Sequence, residues 1–384
     1  MSRTLIQKVF DYSYKELESS RYLSQAQKKA ATAIINCKSP RMGLNMSICE
    51  ECGSVQSHYN SCRDRNCPNC QAIKKELWID ARQAEVMDAP YFHVVFTIPS
   101  ELNALMYCNQ KLLYDLFHKC AGQTLAEHAI DKKYLGATPE IIQVLHTWGQ
   151  ELNYHPHIHT IVSGGGLTKD MKLKKSPKNF FVPIHVLREK FKGKFLDNLK
   201  SLKASGELSF SSSIASLERP EEWQSFINSL YEKDWCPYIK ETFNGFGNAI
   251  EYLGRYTHRI AITNARIVSV SEDEVSFRAR DYRTGTMHVT TLKNTEFIRR
   301  FLMHVLPTGF QKIRYYGLLN NRCKAKNLSI VFKQQGYQKF KAKYQNMSVA
   351  EIMKSIWKID ICTCPECGCA NSLRPLGTHY PLRC

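Results

Sequence analysis

Six cysteines crowd into 34 residues of this chain, at positions 37, 49, 52, 62, 67 and 70, in a stretch rich in turn-forming residues and without a periodic apolar pattern. Such a segment cannot bury enough apolar surface to hold its own shape, so it needs an external staple. The N-terminus, Met1-Ser2-Arg3-Thr4-Leu5-Ile6, lacks the apolar stretch of a secretory signal. That predicts a cytoplasmic chain whose thiols stay reduced and serve metal rather than disulfides. Cys49-x2-Cys52 and Cys67-x2-Cys70 are separated by 14 residues, and two such knuckles can present four thiolates to one tetrahedral Zn²⁺. With no coordination position left open, the expectation is a structural zinc on Cys49, Cys52, Cys67 and Cys70, with Cys37, His58 and Cys62 close enough to compete or to complete a second site. A further cluster, Cys362-x-Cys364-x2-Cys367-x-Cys369 with His379 and Cys384, contains a Cys-Pro-x-Cys-Gly knuckle. Its Cys364 and Cys367 are candidates for another zinc.

Charge narrows the partner. The 384 residues allow two to four domains, and 53 Lys plus Arg against 35 Asp plus Glu leave a formal net charge of +18. Nucleic acid heads the list of partners for so basic a chain. Apolar runs such as Tyr91 to Ile98 are interrupted well short of the roughly 18 residues that a bilayer span needs, so no membrane role is expected. Residues 169–203 hold 11 Lys/Arg against three acids, and residues 297–350 hold 11 Lys/Arg and nine Phe/Tyr with no acid at all. The second stretch, with Arg314, Tyr315, Tyr316, Arg322, Lys324 and Lys326, reads as a groove for single-stranded DNA, where cations meet phosphates and rings stack on unpaired bases. Apolar periodicity predicts one or two helices over 1–36 and helices near 71–88, 101–128, 186–203, 220–234 and 248–256. Strands are expected over 91–98, 141–148 and 157–162, the last two an antiparallel pair, and over 260–266, 274–280 and 286–292.

Two patterns carry chemistry. In Tyr154-His155-Pro156-His157-Ile158-His159, strand alternation puts His157 and His159 on one face. Two converging imidazoles suit a divalent metal that keeps positions open for a phosphate. The third ligand is expected from His146, with Gln150 or Glu151 as alternatives. In Glu251-Tyr252-Leu253-Gly254-Arg255-Tyr256-Thr257-His258-Arg259, helical spacing puts Tyr252 and Tyr256 on one face, so two phenol oxygens can reach one site in turn. Attack of a phenolate on a phosphodiester yields a covalent tyrosyl–DNA linkage that conserves the bond for rejoining.

Together these residues resemble the transposases of the insertion sequence 91 family, two-tyrosine members of the HUH endonuclease superfamily. The resemblance rests on four ordered blocks: Asn60 to Gln71; His155-Pro156-His157-Ile158-His159 with His146-Thr147-Trp148-Gly149-Gln150 before it; Tyr252 to Ile262; and Phe297 to Pro307 with Arg314 to Leu319. It implies an α+β HUH endonuclease domain, an antiparallel sheet with packed helices, preceded by a zinc-ribbon-like module and followed by a basic C-terminal region. On that view residues 1–90 are a helical lead-in and zinc-binding domain, 91–296 the catalytic domain, 297–361 the basic aromatic DNA-binding region and 362–384 a second zinc knuckle. The implied reaction is rolling-circle transposition, with single strands nicked and rejoined at element ends by Tyr252 or Tyr256 using Mg²⁺ or Mn²⁺. Arg255 and Arg259, beside the tyrosines, are candidate phosphate clamps, a role that the resemblance does not assign. A plasmid or phage replication initiator shares that chemistry, whereas a non-enzymatic zinc protein binding nucleic acid leaves the histidine and tyrosine pairs unexplained.

Overall fold

Helical and strand periodicities alternate along the chain. The computed structural model describes residues 3–176, 182–235, 238–242, 250, 254, 257, 260–281, 284–336 and 341–379, and is an α+β fold with antiparallel sheets. Its elements begin with α1 (Leu5–Ser20), α2 (Gln25–Asn36), β1 (Leu44–Cys49), β2 (Val55–Tyr59), α3 (Ala72–Gln83), β3 (Tyr91–Thr97), α4 (Asn103–Cys108) and α5 (Gln110–Ile130). Then come β4 (Thr138–Trp148), β5 (Tyr154–Leu167), β6 (Leu173–Lys175), α6 (Ile184–Ala204), α7 (Pro220–Glu232), β7 (Tyr238–Thr242), β8 (Ile267–Val270), β9 (Glu274–Arg280) and β10 (Met287–Lys293). A helix Asn294–Met303, β11 (Ile313–Gly317), a helix Lys324–Gln335 and β12 (Leu373–His379) follow. Among the described residues no helix is long and apolar enough to cross a membrane.

β4 and β5 are apolar along most of their length because both of their faces are covered. They lie at the centre of a sheet ordered β11-β4-β5-β3-β7, with β6 paired to β5. On one face Phe92, Val94, Phe96, Leu145, Ile158 and Val162 pack on Phe117 of α5, Phe191 and Phe195 of α6, and Trp235. On the other, Ile142, Val144 and Ile161 pack with Tyr91, Ile250, Val331 and Phe332. The glycines that end β5 have a steric reason: a Cβ on Gly166 would stand 2.0 Å from the Thr138 carbonyl oxygen, where β5 passes a bulge in β4.

At that bulge Glu140 is buried and accepts a hydrogen bond from the Tyr91 hydroxyl at 2.6 Å. Burial pushes its carboxyl up to about 8 against the opposing pull of that hydroxyl. The folded value lies above the ordinary 4.5, so the site's contribution to stability is fully present below the unfolded pKa and is lost as pH rises through the folded one. Glu140→Gln should flatten the pH dependence of urea denaturation between about pH 5 and 8. An unchanged profile would contradict a protonated Glu140.

A second core joins the two ends of the sequence. The apolar stripe of α1 (Ile6, Val9, Phe10) packs on Phe297, Phe301 and Leu302 and on Phe277 of the β8–β9–β10 sheet. The helical lead-in is thus built into the 261–305 region as well as against the cysteine segment. The strand expected over 260–266 begins only at Ile267. Asn264 instead forms a tight turn, accepting the Ile6 N–H at 3.0 Å and donating to Asn69 at 3.1 Å. The helix expected over 101–128 is broken at Asn109, whose side chain bonds the Leu105 carbonyl and both backbone groups of Ser209.

Part of the aromatic groove expected over 297–350 is core. Phe297, Phe301, Phe310 and Phe332 are all buried, because the sequence there supplies apolar stripes to three different cores rather than a surface. Rings inside a core are closed to bases, and only some of the nine remain candidates for stacking.

Candidate metal centres and active site

The β4–β5 register pairs His146 directly with His157 and Val144 with His159. Opposite residues of an antiparallel pair share a face, so three imidazoles converge, with one ligand nitrogen from each lying within 4.8 Å of the others. On His157 and His159 the other ring nitrogen is engaged. His157 Nδ1 donates to the His155 carbonyl at 2.8 Å, and His159 Nδ1 lies 2.9 Å from His93 Nε2 on β3. That leaves Nε2 of both for a metal and sets their tautomers. His146 stacks on Trp148 with ring centroids 4.5 Å apart. Burial holds His157 down at about 4, which keeps the imidazole neutral and ready to ligate. Of the other expected third ligands, Glu151 faces His288 at 3.0 Å and is not in the group, while the Gln150 backbone carbonyl accepts from Arg266. The hairpin tip is seated by His304, whose Nε2 donates to the Leu152 carbonyl at 3.0 Å, while Leu152 itself, at φ 61°, is buried in the second core.

Tyr252, Tyr256, Arg255 and Arg259 lie outside the described residues. Their neighbours Ile250, Gly254 and Thr257 are described and lie on the histidine side of the sheet. Ile250 packs with Ile142 and Ile161, and a Cβ on Gly254 would stand 2.4 Å from the Ile79 side chain of α3, which would have to shift. Thr257 lines a cleft of about 330 Å³ with Trp148, His304, Lys312, Arg65 and Gln71. Trp148 connects this cleft to the histidines, and the Lys312 ammonium lies 5.0 Å above its ring. The Arg65 guanidinium holds the cysteine segment to the carbonyls of Leu306, Pro307 and Phe310.

The cysteines regroup. Cys67 and Cys70 join Cys37, at the end of α2, and Cys62. Cys49 and Cys52, at the β1–β2 turn, join Cys364 and Cys367 instead. The single-ion grouping of Cys49, Cys52, Cys67 and Cys70 is therefore corrected, and His58, paired with Asn45, belongs to neither group. In the first cluster Cys70 Sγ lies 3.5 Å from Cys37 and 3.6 Å from Cys62, and the neighbouring thiols, Cys62 foremost, draw Cys37 down to about 7. In the second, Cys49 is 3.7 Å from Cys367, and Cys52 is 3.7 Å from Cys364.

Of the expected DNA-contacting residues, Arg314 forms an ion pair with Asp115, and the Tyr315 hydroxyl accepts from Trp78 and Arg82. The Tyr316 ring packs over Gly122, and Lys324 pairs with Glu85 at 2.7 Å. Arg322 and Lys326 are exposed. Sequence reasoning missed His93, His304 and Lys312; of these only His93 carried a signal, as a histidine among apolar residues of an expected strand, and its place beside the HxH strand came only with the β3–β5 pairing.

Comparison with known proteins agrees with this arrangement. Residues 9–98 match a model described as "Transposase zinc-binding domain", and residues 141–327 match one described as "Putative transposase". The chain is 41% identical over 309 residues to "Putative transposase y4qJ" of Sinorhizobium fredii (strain NBRC 101917 / NGR234), covering 80% of this chain and 78% of that one. It is 28% identical over 304 residues to "Transposase for insertion sequence element IS801" of Pseudomonas savastanoi pv. phaseolicola, covering 78% and 72%. No solved structure matches. A basic α+β chain with a cysteine module at its head is thus of the transposase class, enzymes that cleave and transfer DNA. The chain belongs to the insertion sequence 91 family of transposases. The Cys37, Cys62, Cys67 and Cys70 cluster lies inside the matched zinc-binding domain and supports a structural zinc there.

Proposed function

We propose that this transposase nicks and rejoins single DNA strands at insertion-element ends through a 5′-phosphotyrosine, in a rolling-circle reaction. The observation that carries the reading is the convergence of His146, His157 and His159 on the face against which Ile250 packs, next to the cleft lined by Thr257. A divalent ion bound by these imidazoles supplies Lewis-acid polarisation of a phosphate oxygen. The phenolic oxygen of Tyr252 or Tyr256 attacks phosphorus, the bond to the 3′ oxygen breaks, and that oxygen leaves as a 3′ hydroxyl. Attack of a 3′ hydroxyl on the phosphotyrosine reverses the step and restores the phenol. The second tyrosine takes a new strand while the first is occupied, and Arg255 and Arg259 neutralise phosphate charge.

An all-nitrogen donor set favours Mn²⁺ over Mg²⁺, which prefers oxygen ligands. The direct experiment incubates end-labelled single-stranded element ends with the protein and either metal and looks for a covalent adduct. Tyr252→Phe with Tyr256→Phe should abolish it, and an adduct that survives both substitutions would end the reading. Strand binding with no adduct in the wild-type protein would favour a non-enzymatic nucleic-acid protein.

His93 is a positioning residue in this scheme, since it fixes the His159 tautomer from the adjacent strand. His93→Ala should weaken Mn²⁺ binding by roughly 10–100-fold in calorimetric titration, and His93→Gln, which keeps an acceptor, should restore most of it. Equal affinities for all three proteins would remove the role.

A further inference from the structure

We propose that Cys49, Cys52, Cys364 and Cys367 bind a second Zn²⁺, which clasps the C-terminal segment onto the N-terminal β1–β2 hairpin. Four thiolates with no open position suit zinc in a structural, not a catalytic, role.

The two halves of the site are built alike. In Cys49-Glu50-Glu51-Cys52-Gly53 the Gly53 N–H donates to the Cys49 carbonyl at 2.9 Å; in Cys364-Pro365-Glu366-Cys367-Gly368 the Gly368 N–H donates to the Cys364 carbonyl at 2.9 Å. Both glycines have left-handed φ, 72° and 74°. Cys49 N–H donates to the Ser54 carbonyl and Cys364 N–H to the Cys369 carbonyl, the same five-residue reach. Each knuckle also places a serine beside the other's thiol. Ser54 Oγ lies 3.5 Å from Cys364 Sγ, and Ser372 Oγ lies 3.2 Å from Cys49 Sγ. Two loops of one design face each other across four sulfurs that lie within 4.8 Å of one another.

Apolar burial does not hold these parts together. Among the described residues none from 38–61 or 341–379 belongs to the three apolar cores. β12 is mostly exposed, and it reaches the molecule through its ladder with β1 and the Arg374–Glu50 ion pair. A three-stranded sheet without an apolar face is marginal by itself in water. A metal bridging Cys52 to Cys364, 312 positions apart, closes the chain where burial does not.

The test is zinc stoichiometry by mass spectrometry on the full chain, purified under reductant, with alkylation mapping of each cysteine. Wild type should carry two zincs per chain. The Cys49→Ser/Cys52→Ser protein, the Cys364→Ser/Cys367→Ser protein and the quadruple variant should each carry one. In the C-terminal variant Cys49 and Cys52 should become alkylatable, while continued protection of Cys37, Cys62, Cys67 and Cys70 reports that the fold is intact. The proposal fails if the C-terminal variant keeps two zincs, if the quadruple variant loses two while those four cysteines stay protected, or if the reduced wild-type protein carries only one. Zinc counting is independent of strand cleavage, so the outcome holds whatever the chemistry at the histidines.

Discussion

Replacing His157 or His159 by alanine is expected to lower the single-turnover nicking rate by at least about three orders of magnitude while leaving single-strand affinity within about twofold. Polarisation of a phosphate oxygen by a bound metal contributes several kcal/mol to the barrier, and each 1.36 kcal/mol is tenfold in rate. Both imidazoles come from β5, two residues apart on one face, and β4 supplies His146 directly opposite His157. Glu151, the nearest carboxylate in the sequence, is turned toward His288 and does not replace a missing ligand. His146→Ala should give a smaller loss that is partly recovered at high Mn²⁺, because the adjacent pair His157 and His159 on β5 stays intact. Rates measured with a labelled element end across a metal titration, beside anisotropy with the same oligonucleotide, separate the metal site from the DNA grip. A double histidine variant that cleaves at the wild-type rate would show that the site lies elsewhere.

Cys37→Ser or Cys62→Ser should unfold the N-terminal half of the molecule rather than slow it. The apparent binding free energy of a structural zinc is roughly 10–16 kcal/mol in zinc-finger peptides, as large as the roughly 5–15 kcal/mol of net stability of a typical protein. Here the site is continuous with a core: Cys37 and Cys67 are buried among the residues that join α1 and α2 to Phe297 and Phe301. Loss of the metal would leave unliganded thiols in that core and release the end of α2. Thermal melts with zinc counting should show one zinc lost and a melting temperature lowered by more than 10 °C, on the order expected when several kcal/mol are removed. A variant that loses the zinc yet melts as wild type would refute a structural role.

Charge excess, the crowding of cysteines and the periodicities of the helices and strands were legible in the residues themselves, because each depends on composition or on spacing within one element. So was the convergence of His157 and His159, since strand alternation is local. His146 was legible one step further, given an antiparallel neighbour. What remained hidden depended on where the chain travels. Any C-x2-C knuckle can pair with any other, so spacing identified the knuckles without pairing them; the glycine after Cys52 and Cys367, absent after Cys70, was the one local mark of the true pairing. His93 acquired its role only when β3 lay beside β5. The aromatic residues of 297–350 look alike as sequence, yet Phe297 and Phe332 are core while Tyr315 binds Trp78 and Arg82. Local patterns determine which residues can carry metal or pack; only the tertiary path decides which of them meet, because those contacts join elements tens to hundreds of residues apart.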